Sequence, residues 1–166
     1  MAAFAAIDFE TADYGPDSAC AVAAVLVRDG RIADRFCERI RPPRSDFVFT
    51  YIHGITWDDV ENSRTFREMW PGLALFLRVA DFLAAHNAPF DRGVLRACCA
   101  AANVPAPRKR FVCTVRLARA TWGLTRANLP TVCRHLGIPL NHHDALSDAE
   151  ACARIAIEAA RAGAAL

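Results

Sequence analysis

Eight consecutive apolar residues, CAVAAVLV from Cys20 to Val27, constrain this chain most. A strand with one wet face alternates polar and apolar residues; an unbroken apolar strand needs cover on both faces. Asp29-Gly30 follows as a two-residue hairpin turn, and Ile32–Ile40 returns as a further strand. Upstream, Ala3–Phe9 reads as the first strand, so the chain opens with an antiparallel meander. The cover must come from downstream. Helical patterns run over Thr65–Val79, with Pro71 as its kink point, and from Pro89, suited to a first helical turn, to about Ala102. Others cover Val115–Thr121, Leu129–Leu136 (ended by Gly137 and Pro139) and Ala145–Ala162. Short apolar segments at Phe82–Ala85 and Phe111–Cys113 read as strands between them. Three leading antiparallel strands followed by alternating helices and short strands predict an α/β fold: a mixed sheet with helices on both faces.

At 166 residues, the chain fits a single domain spanning 1–166. A hydrophobic fraction of 54% with 23% charged residues excludes a disordered chain. The net charge of +2 excludes the global basic field of architectural DNA binders. Positive charge is almost all arginine, Lys109 being the only lysine. Arginine suits bidentate contact with phosphate or carboxylate, although codon bias also produces an Ala- and Arg-rich chain. Arg108-Lys109-Arg110 reads either as a phosphate-contacting cluster or as a solvated loop. The seven cysteines are odd in number, lack any Cys-x-x-Cys and lie mostly in apolar stretches. They read as buried hydrophobes in a reducing, cytoplasmic setting. Cys133, His135 and His142 match no common zinc spacing. No signal peptide or membrane-length apolar run is visible.

The first strand ends in AFAAIDFETAD, Ala3–Asp13. Residues two apart on a strand share a face, so Asp8 and Glu10 sit side by side at the end of an apolar strand. Taken alone, such a pair is most often a solvated one. Asp91, in AHNAPFDRGVL, lies in the first turn of its helix and borders an apolar face that includes Phe90, Val94 and Cys98; its other reading is an acid favoured by the helix dipole. In HHDALSDAEACARI, Asp144 reads as the N-cap, and Glu150, Arg154 and Glu158 form an exposed stripe of alternating sign. Asp148 instead shares a buried face with Cys152 and Ile155. Three elements thus bring acids to apolar sides with no basic partner. Convergent carboxylates of this kind call for hard cations, magnesium or manganese rather than zinc. Two such ions roughly 4 Å apart could hold the attacking water and the leaving oxygen of a phosphodiester. His143, five residues before Asp148, has the chemistry of a base for that water.

Asp-x-Glu on the first strand, Asn-x-x-x-Asp in the middle and His-x-x-x-x-Asp near the end, present as IDFET, HNAPFD and HHDALSDA, resemble the DEDDh exonucleases. That family includes the proofreading epsilon subunit of bacterial DNA polymerase III. The resemblance runs from Phe4 to about Ile157. It implies a ribonuclease-H-like fold and 3′-to-5′ release of nucleoside 5′-monophosphates from single-stranded DNA or RNA ends, with DNA favoured. By motif match, Asp8, Glu10, Asp91 and Asp148 would hold two magnesium ions, replaceable by manganese, and His143 would be the general base. Thr11 would help hold the terminal nucleotide, and Phe9 and His53, the latter in the pocket-side loop YIHGIT, would line its pocket. Asn87 would shape a strand-to-helix turn. The chain ends soon after its last helix and contains no glutamine, so neither a polymerase-joining tail nor a glutamine-initiated clamp peptide is expected. That favours a free-standing nuclease or a detached exonuclease module. RNA trimming is the alternative within this chemistry. An idle nucleic-acid-binding module predicts a lost acid or histidine, and none is lost. Of the adjacent histidines, only His143 is expected to face the metals, because neighbouring loop side chains seldom point the same way; His142 is expected at the surface.

Overall fold

The computed structural model describes residues 2–166. Five strands form one sheet in the order β3-β2-β1-β4-β5. They are β1 (Phe4–Thr11), β2 (Ala19–Arg28), β3 (Arg31–Arg39), β4 (Phe82–Ala85) and β5 (Phe111–Cys113). The first three form the expected meander, antiparallel at both pairings, and β4 and β5 add parallel to β1. At the β2–β3 turn, Asp29 and Gly30 both take positive φ, 50° and 70°, as a type I′ turn requires. The apolar run on β2 is buried at every position.

The helices are α1 (Thr50–His53), α2 (Phe66–Arg78), α3 (Ala88–Ala101), α4 (Thr114–Trp122), α5 (Leu129–Leu136) and α6 (Ala145–Arg161). Strand alternation splits β1 between two cores. Ala5, Ile7 and Phe9 join Met69 and Leu73 of α2 and Leu95 of α3. Phe4 and Ala6 join Ala149, Cys152, Ala153 and Ala156 of α6. Those small α6 side chains let the helix lie close on the sheet. Thr65 and Glu68 form a reciprocal capping box at the start of α2, which continues past Pro71 to Arg78. The segment read as a loop around Tyr51–Thr56 begins instead with the single turn of α1, closed by Gly54 at φ 75°. Among the described residues, no helix is long and apolar enough to cross a membrane.

One mismatch of lengths positions the site. β4 pairs with β1 only along Phe4–Ala6. The strand β1 runs on to Thr11, two residues beyond the expected end at Phe9, with an irregularity between Glu10 and Thr11. The carboxyl-terminal half of β1 therefore lies open on its β4 side. In open α/β sheets, ligands bind in the crevice outside such strand ends.

Candidate active site

Asp8 and Glu10 project from this overhang toward α6. Glu10 is 8% exposed and Asp8 half-buried. Asp91 and Asp148 each occupy the fourth position of their helix, α3 and α6. Asn87, in the left-handed region at φ 73°, turns the chain out of β4 into α3. This aims Asp91 back at β1, where its Oδ1 accepts the Phe9 N–H at 3.1 Å, a donor that β4 is too short to pair. The side chain of Asp144 caps α6 by accepting the Ser147 N–H at 2.9 Å, which fixes the turn carrying Asp148. Oxygens of Asp8, Glu10 and Asp148 lie within 4.8 Å of one another. Asp91 stands beside this triplet, close enough for its charge to raise the pKa of Asp8.

Burial, reinforced by the neighbouring carboxylates, disfavours the charged forms. Glu10 is pushed up to about 8 and Asp91 to about 8, Asp8 well above the usual carboxylate range, and Asp148 upward as well. Among the described residues, no arginine or lysine bridges any of the four. Asp148 does have partners on one oxygen. Oδ2 lies 2.9 Å from His142 Nδ1 and accepts the His143 backbone N–H at 3.1 Å. Its Oδ1 is buried without any hydrogen-bond partner. A buried, unpaired carboxylate oxygen facing other acids is costly. A divalent cation would supply the missing positive charge, and an all-oxygen donor set fits a hard one.

The histidine pair departs from expectation. The rings of His142 and His143 stack with centroids 3.8 Å apart and planes 21° from parallel. His143 sits at φ 69°, a left-handed conformation that turns both side chains to one side. Both therefore line the cleft with the acids. Burial, then the His142 ring, lowers the pKa of His143, which keeps its imidazole neutral at neutral pH.

The cleft has a volume of about 600 Å³. Thr11 and Phe9 both border it, but Phe9 is 2% exposed and belongs to the core beneath. His53 forms a wall, with both ring nitrogens engaged inside the protein. Its Nε2 donates to the Thr11 carbonyl at 3.0 Å and its Nδ1 accepts the Ile55 N–H at 3.0 Å. Phe90, on the apolar face of its helix, is 46% exposed and lines the cleft. Phe49, Ile52, Val115, Arg119 and Leu129 also line it. The basic cluster lies elsewhere. Lys109 caps the Arg78 and Ala80 carbonyls, and Arg110 covers the Phe82 ring at 4.3 Å and donates to the Leu166 carbonyl at 2.8 Å. Cys133 is buried in the α4–α5–α6 core and His135 packs on Trp122, whereas His142 lines the cleft.

A family model described as "RNase_T: Exonuclease" matches residues 5–156, an interval that contains all five acid and base candidates. The chain belongs to the RNase_T exonuclease family. Its motif set is that of the DEDDh 3′-5′ exonucleases, nucleases that use divalent metal ions. Among sequence relatives, the PolC-type DNA polymerase III of Thermotoga petrophila is 32% identical over 158 residues; the match covers 93% of this chain and 12% of that protein. The exonuclease thus spans about an eighth of the length of that relative. Among solved structures, exonuclease X in complex with 5′ overhanging duplex DNA matches with a TM-score of 0.78 and 25% identity, covering 95% of this chain and 91% of that one. The nuclease domain of the DEDDh member 3′hExo, bound to rAMP, has the same fold, with a TM-score of 0.82 at 20% identity over 97% of this chain and 92% of that one. The expected ribonuclease-H-like architecture is therefore present.

Proposed function

We propose that residues 1–166 act as one exonuclease module that removes nucleoside 5′-monophosphates from the 3′ end of single-stranded DNA, using two magnesium ions and a histidine base. The observation that carries this reading is the acid cluster: four carboxylates without an arginine or lysine partner, one with a buried free oxygen, at the open end of β1. Asp8, Glu10, Asp91 and Asp148 would hold the cations, which when bound would polarise the scissile phosphate and acidify an attacking water.

The remaining roles fall to the protein's own groups. The backbone of His143 is tied to Asp148 Oδ2, so its neutral imidazole stands beside the cluster, able to accept the proton of a water there. Asp91 binds the Phe9 N–H and so locks the strand end that carries Asp8 and Glu10. His53 holds the Thr11 carbonyl, fixing the segment that would grip the terminal nucleotide. Phe49, Ile52 and Phe90 offer apolar and aromatic surface on which unpaired bases stack. The similarity to a segment of PolC-type DNA polymerase III favours DNA over RNA as substrate.

The test uses 5′-labelled DNA and RNA oligonucleotides of matched sequence. Magnesium should support stepwise shortening from the 3′ end with release of 5′-mononucleotides, and EDTA should abolish it until magnesium or manganese is restored. Full activity in EDTA would refute the metal mechanism. Internal cuts as first products would mean an endonuclease, and faster RNA shortening would reassign the substrate.

A further inference from the structure

The nuclease reading uses the ring of His143 and leaves that of His142 unassigned. Yet the two rings are stacked, and His143 adopts a backbone conformation rare for residues other than glycine, asparagine, aspartate and histidine. One ligand atom from each of His142, His143 and Asp148 falls within 4.8 Å of the others. His142 Nδ1 and Asp148 Oδ2 are already 2.9 Å apart. Donors on a tetrahedral zinc ion, each about 2.0–2.1 Å from it, lie roughly 3.3 Å from one another. Stacked rings aim their in-plane lone pairs side by side, so closing this triangle around a single ion requires one ring to turn out of the stack.

Two imidazole nitrogens with one carboxylate oxygen are a zinc-type donor set. Such a set binds cobalt, nickel and zinc ions far better than magnesium. The adjacent Asp8–Glu10–Asp148 set is all oxygen and suits hard cations. Asp148 belongs to both. We propose that His142, His143 and Asp148 form a second cation site, selective for zinc-class transition ions, whose occupation switches the nuclease off. His142 is at the surface, its side chain 36% exposed, so an ion reaches it without opening the fold. Once bound, the ion claims the His143 lone pair that would accept the water's proton and draws the Asp148 carboxylate away from Asp8 and Glu10. The switching half of this proposal rests on the nuclease reading above; the binding half does not.

The experiment titrates metal-stripped protein with Co²⁺, read by visible absorption, with Zn²⁺ as competitor. One equivalent of Co²⁺ should give the intense absorption of a four-coordinate, nitrogen-bound ion, displaced by Zn²⁺ and not by excess Mg²⁺. His142→Asn keeps a hydrogen-bond donor toward Asp148 but removes the imidazole. It should weaken Co²⁺ affinity by about tenfold or more, and Asp8→Asn should leave that affinity within about twofold. Thermal melts confirm that both variants are folded. The reverse pattern, affinity lost in Asp8→Asn and kept in His142→Asn, would place the ion among the carboxylates and overturn the site. Zn²⁺ should inhibit magnesium-supported cleavage, at about tenfold higher concentration for His142→Asn, each compared with its own zinc-free rate. Co²⁺ binding as expected with cleavage indifferent to Zn²⁺ would overturn the switch. Absence of any magnesium-supported cleavage would refute the nuclease reading, while the Co²⁺ titration would still decide the site.

Discussion

Raising the pH of the metal-free protein from about 6.5 to about 8 should destabilise it, and divalent cation should reverse the loss. Glu10 and Asp91 are pushed up to about 8 by burial among other acids, whereas in the unfolded chain such groups titrate near 4. Between those values the folded state holds a proton that the unfolded state has released. A raised carboxylate therefore stabilises fully below the unfolded value and loses that contribution as pH climbs through the folded one. The slope is about 1.4 kcal/mol per pH unit per group, so the interval costs about 2 kcal/mol for one group and at most about 4 for two, because neighbouring carboxylates share protons. Asp8 and Asp148 shift in the same direction. Other buried groups contribute less in this window. His86, lowered to about 4, opposes the loss by about 0.4 kcal/mol at the lower end, where an unfolded histidine is half protonated, and Cys98 and Cys133, raised to about 11, add to it by about 0.2 kcal/mol each at the upper end, as pH nears the unfolded thiol value. For a chain of this length, the melting temperature should fall by roughly 4–16 °C in EDTA. Magnesium should raise it more at the upper pH, because the ligands must be deprotonated. Glu10→Gln should remove about one group's share of the slope. A melting temperature that is flat or rising across the window in EDTA would refute the electrostatic reasoning.

Other expectations are read in the same assays. Asp8→Asn should abolish most cleavage while leaving the metal-free melting temperature unchanged or higher, since it relieves crowding among acids; an unchanged rate would remove Asp8 from the mechanism. Phe90→Ala should raise KM for oligonucleotides by roughly 5- to 100-fold with little change in kcat, the scale of one lost base-stacking contact; an unchanged KM would mean that Phe90 is merely exposed. His143→Ala should lower kcat by about 10²- to 10⁴-fold, the range for a positioned base. His142→Ala should raise the half-saturating magnesium concentration by roughly 10-fold, as expected when a partner that orients a metal ligand is lost.

Much of the scaffold was legible because its signals are strong and local. The unbroken Cys20–Val27 run demanded cover on both faces, and the run is buried throughout. The spacing of Asp148 with Cys152 and Ile155 marked a carboxylate on a buried stripe, which it is. Phe90 shares the apolar face of α3 but not its burial, for an equally physical reason. Helical periodicity tells which residues share a face, not how far the neighbouring sheet extends beneath them. Val94 and Leu95, one turn on, reach the core, whereas the first turn of α3 stands at the end of β4 and presents Phe90 to the cleft. The four residues of the α1 turn carry no readable period. The apolar pattern of β1 stops at Phe9 although the strand runs to Thr11, because Glu10 and Thr11 are polar and their burial is a property of the assembled cleft.

The histidine pair shows where spacing arguments stop. Divergence of adjacent side chains holds for extended backbone, and His143 is not extended. Histidine tolerates the left-handed region better than most residues, but no residue type at 142–144 announces that it is used here. Motif spacing singles out His143, yet the contacts to Asp148 divide differently: the ring of His142 and the backbone of His143 hold Oδ2. On the proposed reading, truncating His143 should spare the backbone anchor of Asp148 and remove only a proton acceptor, a loss confined to kcat. Truncating His142 should spare the acceptor and loosen the carboxylate, a loss that saturating metal would offset. If both variants instead lost kcat to the same degree at saturating magnesium, the two rings would act as one unit, and the division between base and anchor drawn from the hydrogen bonds would fall.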